Sequence, residues 1–180
     1  MTRRDPSQPD LMTALSGDVS TADFSDCQTY RYTLTRTWDN SIAPLVMLML
    51  NPSTADQVVN DPTVERCQRR AKRMGAGGLV VVNIFALRST DPDRLYHHED
   101  PIGPRNDQSI LDACAGAMIV IGAWGTHGAF KGRGDQVAAM VRDAGFELHA
   151  LGTNKDGSPK HPLYLQNLAT PVPYRHGCAD

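Results

Sequence analysis

Short apolar runs alternate with amphipathic segments along most of this chain. Tyr30, Tyr32 and Leu34 recur with a period of two, which predicts a strand before the first of these runs. The runs themselves are apolar on both faces, as buried parallel strands are; they lie at 45–50, 79–83, 117–121 and 146–151. The segments between them show helical spacing and end at glycines or small residues: 61–75, 106–114 and 137–145.

Strands that alternate with helices predict βαβ units and a parallel sheet covered by helices. We therefore expect an α/β fold, a three-layer α/β/α sandwich with a four-stranded, mainly parallel sheet and a short N-terminal strand or hairpin. Residues 1–26 are polar and show no periodicity, which predicts a flexible N-terminal arm. The remainder, 27–180, has a length typical of a single α/β domain.

Composition narrows the class of protein. The net charge is −2, so a large basic surface for nucleic acid is not expected. No apolar run is long enough for a membrane span and no secretory signal precedes the domain, which together predict a cytoplasmic protein with no membrane partner. The four cysteines are widely spaced and form no CxxC pair, so we expect reduced thiols, no metal and no cofactor.

Polar residues stand where the predicted strands end. Asn51 and Asn83 each follow a buried strand, Trp124 follows a third, and His161 lies on the loop after the last one. Because ligands of open α/β sheets bind at the carboxyl ends of the strands, these positions are candidates for a site. Side-chain amides can read a base edge or hold a water, and an imidazole can stabilise a developing anion.

Each of these residues also has a structural interpretation. The segment from Asn51 to Thr54 is rich in turn formers, and a single Asn after a strand is most often structural. The basic face of helix 61–75 is typical of a solvated surface. The remaining histidines are interpreted as structural: His97, His98, His127 and His176.

The motifs and their order resemble the uracil-DNA glycosylase superfamily over about residues 45–166. The tetrapeptide from Leu50 to Ser53 is similar to its first motif, and the strand ending at Asn83 resembles the strand whose Asn reads the flipped base. The segment 120–125 is similar to its third motif, and the segment from His161 to Leu165 to its last. The superfamily fold is therefore expected for the three-layer sandwich.

The resemblance implies roles for individual residues. Asn51 would position the attacking water or the departing base, Asn83 would hydrogen-bond the base, and His161 would stabilise the base anion. Asn51 stands where the most active branch has an Asp, and a stacking wall would have to come from Phe85 or Tyr164. The candidate catalytic residues are thus Asn51 and His161. The candidate substrate-binding residues are Pro52, Ser53, Thr54, Asp61, Asn83, Phe85, Arg88, Trp124 and Tyr164.

A closer resemblance is to a bacterial and phage family of uncharacterised proteins, domain of unknown function 1643. It is carried by the segments 51–56, 61–63 and 161–164, together with the pairs Arg66-Cys67, Ile102-Gly103 and Asn106-Asp107. Three functions stay open at this point. The first is an N-glycosidic hydrolase, similar to DNA glycosylases, that releases a natural or modified base from DNA. The second is a non-catalytic module that binds a nucleotide or nucleic acid, and the third is a hydrolase of a free nucleoside or nucleotide.

Overall fold

A computed structural model describes residues 18–53, 55, 58–91, 93–166 and 168–175. Seven strands of this part form one sheet, in the order β1-β2-β4-β3-β5-β6-β7. The strands are β1 (Val19–Phe24), β2 (Arg31–Thr37), β3 (Leu45–Met49), β4 (Gly78–Asn83), β5 (Ile119–Gly122), β6 (Leu148–Ala150) and β7 (Val172–Pro173). The helices are α1 (Pro62–Arg73), α2 (Arg94–His97), α3 (Asn106–Ala115) and α4 (Arg133–Asp143), with 3₁₀ segments at Thr126–Gly132 and Pro162–Tyr164.

The sheet is mixed, and it is larger than the four-stranded sheet expected from the sequence. Four neighbouring strands, β4, β3, β5 and β6, run parallel. On one side the hairpin of β1 and β2 continues the sheet antiparallel from β4, and on the other β7 pairs antiparallel with β6. The buried apolar runs predicted the parallel strands, whereas the edge strands lack such runs.

The N-terminal hairpin corrects the boundary of the predicted arm. Val19–Phe24 form β1 and pair with β2 along its whole length, from Val19 beside Thr37 to Phe24 beside Arg31. The strand was not predicted because polar residues interrupt its sequence. An edge strand is largely exposed and therefore needs few apolar residues. Residues 1–17 of the predicted arm lie outside the described residues.

Helices cover both faces of the sheet. On one face α1 buries Val64, Cys67 and Ala71 against β3 and β4. On the other face α3 and α4 bury Ile110 and Val137 with the alternate side chains of the same strands. The expected layer order, helix, sheet, helix, is therefore present in the described residues. No helix among them is long and apolar enough to cross a membrane.

The strand order places a topological reversal at β3. From β3 the chain passes through α1 to β4 on one side, and it later returns past β3 to β5 on the other. The register aligns Met49 of β3 with Asn83 of β4, so the two strands end level with each other. Crevices form where successive connections leave a sheet in opposite directions, and this edge is where the candidate residues stand.

Candidate functional site

A cleft of about 420 Å³ lies at the carboxyl ends of β3, β4 and β5. Its volume falls within the range of roughly 300–1,000 Å³ typical of small-molecule sites. Three elements meet there: the turn after β3, the N-terminus of α1 and, about 100 residues further along the chain, the loop before the last 3₁₀ turn. The cleft brings together seven of the residues expected from the sequence: Asn51, Ser53, Asp61, Asn83, Trp124, His161 and Tyr164.

Asn83 supplies a buried acceptor at the floor of the cleft. Only 2% of its surface is exposed, and its Oδ1 has no hydrogen-bond partner among the described residues. A buried acceptor without a donor costs about 1–3 kcal/mol, which a ligand N–H or O–H group can recover. Asn83 is therefore suited to recognise a donor on a ligand in the cleft.

The main chain around Asn83 is fixed from behind by two buried polar side chains. Nδ2 of Asn106, the first residue of α3, donates to the carbonyls of Asn83 at 2.9 Å and Ile84 at 3.0 Å. Nε of Arg133 donates to the Ile84 carbonyl at 2.8 Å, and its guanidinium pairs with Asp107. Asn106 and Arg133 are positioning residues that were not among the candidate site residues expected from the sequence.

Asn51 stabilises a turn and also lines the cleft, as both the structural and the functional interpretation of the sequence expected. Its Nδ2 donates to the carbonyl of Ser89 at 2.8 Å and to that of Pro52 at 3.2 Å, so the amide holds the turn after β3. The Pro52 carbonyl also accepts from the Ser89 N–H at 2.9 Å. With Nδ2 bound to the main chain, Oδ1 is the atom of Asn51 that can hold a water or a ligand donor.

His161 is held as a neutral hydrogen-bond donor. Its Nδ1 accepts from the Leu163 N–H at 3.3 Å, which caps the 3₁₀ turn Pro162–Tyr164. Burial lowers the pKa of His161 below its ordinary value, and the negative charge of Asp61 opposes that shift only in part. The neutral ring therefore carries its proton on Nε2, the nitrogen left to face a ligand.

Asp61 links helix α1 to the turn after β3. It is the N-cap of α1: Oδ1 accepts from the Val64 N–H at 2.8 Å, and Oδ2 accepts from Ser53 Oγ at 2.5 Å. Among the described residues that line the cleft, Asp61 is the one carboxylate. Each of its oxygens thus accepts a hydrogen bond from the protein, so Asp61 has a structural role at this end of α1.

Helix α1 also fixes the chain segment that follows His161. Arg66 donates to the carbonyl of Leu165 at 2.7 Å. Arg70 is buried and donates to the carbonyls of Ala169 at 2.6 Å and Gln166 at 3.1 Å. The expectation of a solvated basic face is therefore wrong for these two arginines, while other basic residues of the helix are exposed: Arg69, Lys72 and Arg73.

Two aromatic residues expected to contact a ligand contribute less than predicted. Phe85 is fully buried, packs against Phe130 at a ring distance of 5.8 Å and does not line the cleft, so it provides no stacking face. Trp124 lines the cleft but is only 3% exposed, and its ring packs against Tyr174 in the core. Tyr164, by contrast, is 82% exposed at the mouth, 5.8 Å from the His161 ring.

The remaining predicted residues have different places. Pro52 is buried in the turn and does not line the cleft. Arg88 lies in an adjoining cleft rather than in this one. Thr54 lies outside the described residues.

Sequence reasoning also missed several residues of the cleft wall. Arg31 is 2% exposed and donates to the carbonyl of Ala55 at 2.5 Å, yet in the sequence it is one position of an ordinary strand. His127 accepts or donates at 2.8 Å with the hydroxyl of Tyr96 and also lines the cleft, although it was interpreted as structural. Four further residues line the cleft although no motif in the sequence indicated them: Ser89, Thr90, Thr126 and Asn154.

Thiols and carboxylates do not gather in the described part of the chain. No three His, Cys, Asp or Glu side chains there lie close enough together to hold a metal ion. Cys27, Cys67 and Cys114 are free thiols, and burial raises the pKa of Cys67 to about 12 and that of Cys114 to about 11. Cys178 lies outside the described residues.

Comparison with known proteins identifies a family. The model of the family described as Protein of unknown function (DUF1643) matches residues 31–163, a range that contains β2 to β6 and all the cleft residues discussed above except Tyr164. No curated protein matches the chain. No solved structure matches it either.

Proposed function

We propose that this chain, which belongs to the family Protein of unknown function (DUF1643), hydrolyses N-glycosidic bonds and releases a natural or modified base from DNA. One observation carries the proposal. Asn83, whose Oδ1 is buried and has no hydrogen-bond partner among the described residues, lines the same cleft as Asn51 and His161. An acceptor for a base N–H, a holder for water and a donor for a leaving anion are the groups that this reaction needs.

The chemistry follows from what each side chain offers. A base in the cleft would donate an N–H to Oδ1 of Asn83, and Oδ1 of Asn51 would hold a water near the sugar. As the C1′–N bond breaks, its electron pair passes to the base, and His161 Nε2–H stabilises the resulting anion. The water oxygen bonds to C1′, and the proton it loses goes finally to the base, so water is added across the bond.

The neutral state of His161 favours this role. A neutral donor can stabilise an anion without giving up its proton, and burial strengthens the hydrogen bond because the surroundings screen it poorly. The exposed Tyr164 ring stands at the mouth, where it could stack on a base that enters. We also propose a distant relationship to the uracil-DNA glycosylase superfamily, supported by the order of the four motifs around this cleft.

A second candidate function rests on Asp61. Both oxygens of this carboxylate, the one carboxylate among the described residues of the cleft, already accept hydrogen bonds from Ser53 and Val64. That observation favours a module that binds a base or nucleotide without cleaving it. The two functions differ in whether product forms.

An abasic-site assay decides between them. The full chain is incubated with single- and double-stranded oligonucleotides that contain uracil, mismatched thymine or hydroxymethylated bases, and abasic sites are cleaved with alkali. We expect scission by the wild-type chain and a loss of roughly 100-fold or more in His161→Ala and Asn83→Ala. His97→Ala, which removes an exposed imidazole outside the cleft, serves as the matched control. Saturable binding without scission would instead support the binding module.

A further inference from the structure

A second, more open cleft adjoins the one described above. The two share Ser53, Ser89 and Thr90, which form the ridge between them. A ligand whose base occupies the first cleft would therefore extend across this ridge into the second. What lines the second cleft then indicates which group the ligand carries there.

Cationic and hydrogen-bond-donating side chains line this second cleft. Arg88 and Arg94 bring two guanidinium groups, and no Asp or Glu is found among the described residues of its wall. Nδ1 of His98 accepts from the Asp100 N–H at 3.2 Å, so Nε2 is the ring nitrogen that can donate to a ligand. The wall is therefore electropositive and rich in donors.

Arg88 is held in place before any ligand binds. Its Nη1 donates to the main-chain carbonyl of Gln28 at 3.0 Å, and its guanidinium stacks 4.8 Å from the centre of the Phe24 ring. Its Nε is buried and has no acceptor among the described residues. An oriented guanidinium loses little conformational entropy when it binds an anion.

The acidic residues nearest in sequence bond to their own loop. Asp91 Oδ1 accepts from the Asp93 N–H at 3.0 Å. Asp100 Oδ1 accepts from the N–H groups of Ile102 and Gly103, both at 3.1 Å. These carboxylates therefore have local partners, and neither they nor Asp93 lines the second cleft.

We propose that the second cleft binds a phosphate group of the nucleotide whose base occupies the first, with Arg88 and Arg94 as its cationic ligands. This inference rests on the proposed function and deepens it: the substrate is a phosphorylated nucleotide unit, free or within a strand, and not a free base or nucleoside. Arginine is suited to this role because its fork of N–H donors matches the oxygens of a phosphate.

Equilibrium binding to the full-length chain tests the assignment without requiring turnover. The probes are a fluorescein-labelled single-stranded DNA of mixed sequence, the four common deoxynucleoside monophosphates and the four deoxynucleosides. We expect Arg94→Gln to weaken binding of the phosphorylated probes about tenfold, as the loss of one charge-assisted hydrogen bond does. For the strand, the slope of log K against log salt should fall by about 0.7. Arg88→Gln should act in the same direction.

Arg73→Gln is the matched control, because it removes the same charge from an exposed position at the far end of α1. If Arg94→Gln and Arg73→Gln bind every phosphorylated probe alike, or if the wild-type chain binds neither monophosphates nor strand at millimolar concentration, the inference is overturned. Arg94-dependent binding of the monophosphates identifies a free nucleotide, and Arg94-dependent binding of the strand alone identifies a phosphodiester. Arg94-dependent binding without base release overturns only the proposed hydrolysis.

Discussion

The side-chain amide of Asn106 donates to the main-chain carbonyl of Asn83 at 2.9 Å, and both residues are buried. Asn106 starts a helix on one face of the sheet, while Asn83 ends a central strand. The contact therefore fixes the main chain of a residue that lines the cleft and whose Oδ1 has no partner among the described residues. Precise placement of that acceptor depends on a residue that does not line the cleft itself.

Replacing Asn106 tests this contact. Asn106→Ala removes the donor to the Asn83 carbonyl inside the core, so we expect the free energy of unfolding to fall by roughly 1–3 kcal/mol. Gln108→Ala changes an exposed amide of the same helix that bonds only to Asp112, and should have little effect. Urea titration measures both. Equal stability of the two variants would show that the contact does not support the end of β4.

The pKa of His161 should respond to Asp61. Burial lowers the pKa of His161 below 6.5, and the Asp61 carboxylate raises it by a smaller amount. Asp61→Asn keeps an N-capping side chain but removes the charge, so the His161 pKa should fall further. NMR titration of the ring protons measures both values. An unchanged or higher pKa in the variant would mean that the two groups do not interact.

The lowered pKa of His161 also determines how the stability of the folded chain should change with pH. Because the pKa of His161 is lower in the folded chain than in the unfolded chain, protons bind preferentially to the unfolded chain. The contribution of neutral His161 to stability is therefore complete above about pH 6.5 and is lost as the pH falls below that value. Urea titrations at several pH values should show a smaller loss toward acid in His161→Gln than in the wild-type chain.

Trp124 packs so closely on Gly128 that a side chain at position 128 should destabilise the fold. A Cβ added at Gly128 would lie 2.1 Å from Cδ1 of Trp124, so Gly128→Ala must displace the ring or the turn. We expect a loss of stability of roughly 1–3 kcal/mol or more and a changed tryptophan emission. Gly116→Ala is the control, because nothing lies within 4 Å of its added Cβ. A Gly128→Ala chain as stable as that control would contradict this packing.

The exposed and buried cysteines should differ in their reactivity toward alkylating reagents. Side-chain hydrogen bonds with Ser25 and Thr29 lower the pKa of the exposed Cys27 to about 7, whereas burial raises the pKa of Cys67 and Cys114. Since the thiolate is the nucleophile, iodoacetamide should modify Cys27 with a midpoint near pH 7 and leave the two buried thiols intact. Peptide mapping by mass spectrometry resolves the sites. Modification of Cys67 in the folded chain would contradict its burial.

The central parallel strands of the sheet could be predicted from the sequence, whereas the bounds of the edge strands β1 and β7 could not. The run at 45–50 is apolar throughout because both faces of β3 are covered, and such a pattern is visible in any single sequence. Val19–Phe24 and Val172–Pro173 are exposed edge strands, and their pairing partners rather than their own residues determine them. The short helix Arg94–His97 lacked a long enough repeat to be distinguished from a loop.

Position relative to the predicted strands identified several residues of the candidate site. Asn51 and Asn83 lie at strand ends and His161 lies on the loop after the last parallel strand, and all three line the cleft. Arg66 and Arg70 were not identified in this way, because an arginine that bonds to a distant carbonyl looks like one that faces water until the C-terminal segment is in place. Phe85 was expected to contact a ligand, but it is buried in the core. The sequence alone does not show whether the side chain of such a residue faces a cleft or the core.

The central claim is that water replaces a base at C1′ in this cleft, and isotope transfer measures that event directly. Oligonucleotides of the abasic-site panel are incubated with the wild-type chain in H₂¹⁸O for a time short against solvent exchange of the C1′ oxygen in a synthetic abasic strand, trapped by borohydride reduction and analysed by mass spectrometry. We expect free base without the label and a deoxyribose that carries one ¹⁸O, both absent with His161→Ala. Intact strands throughout the panel, or a released base whose sugar carries no ¹⁸O, would contradict hydrolysis of the N-glycosidic bond.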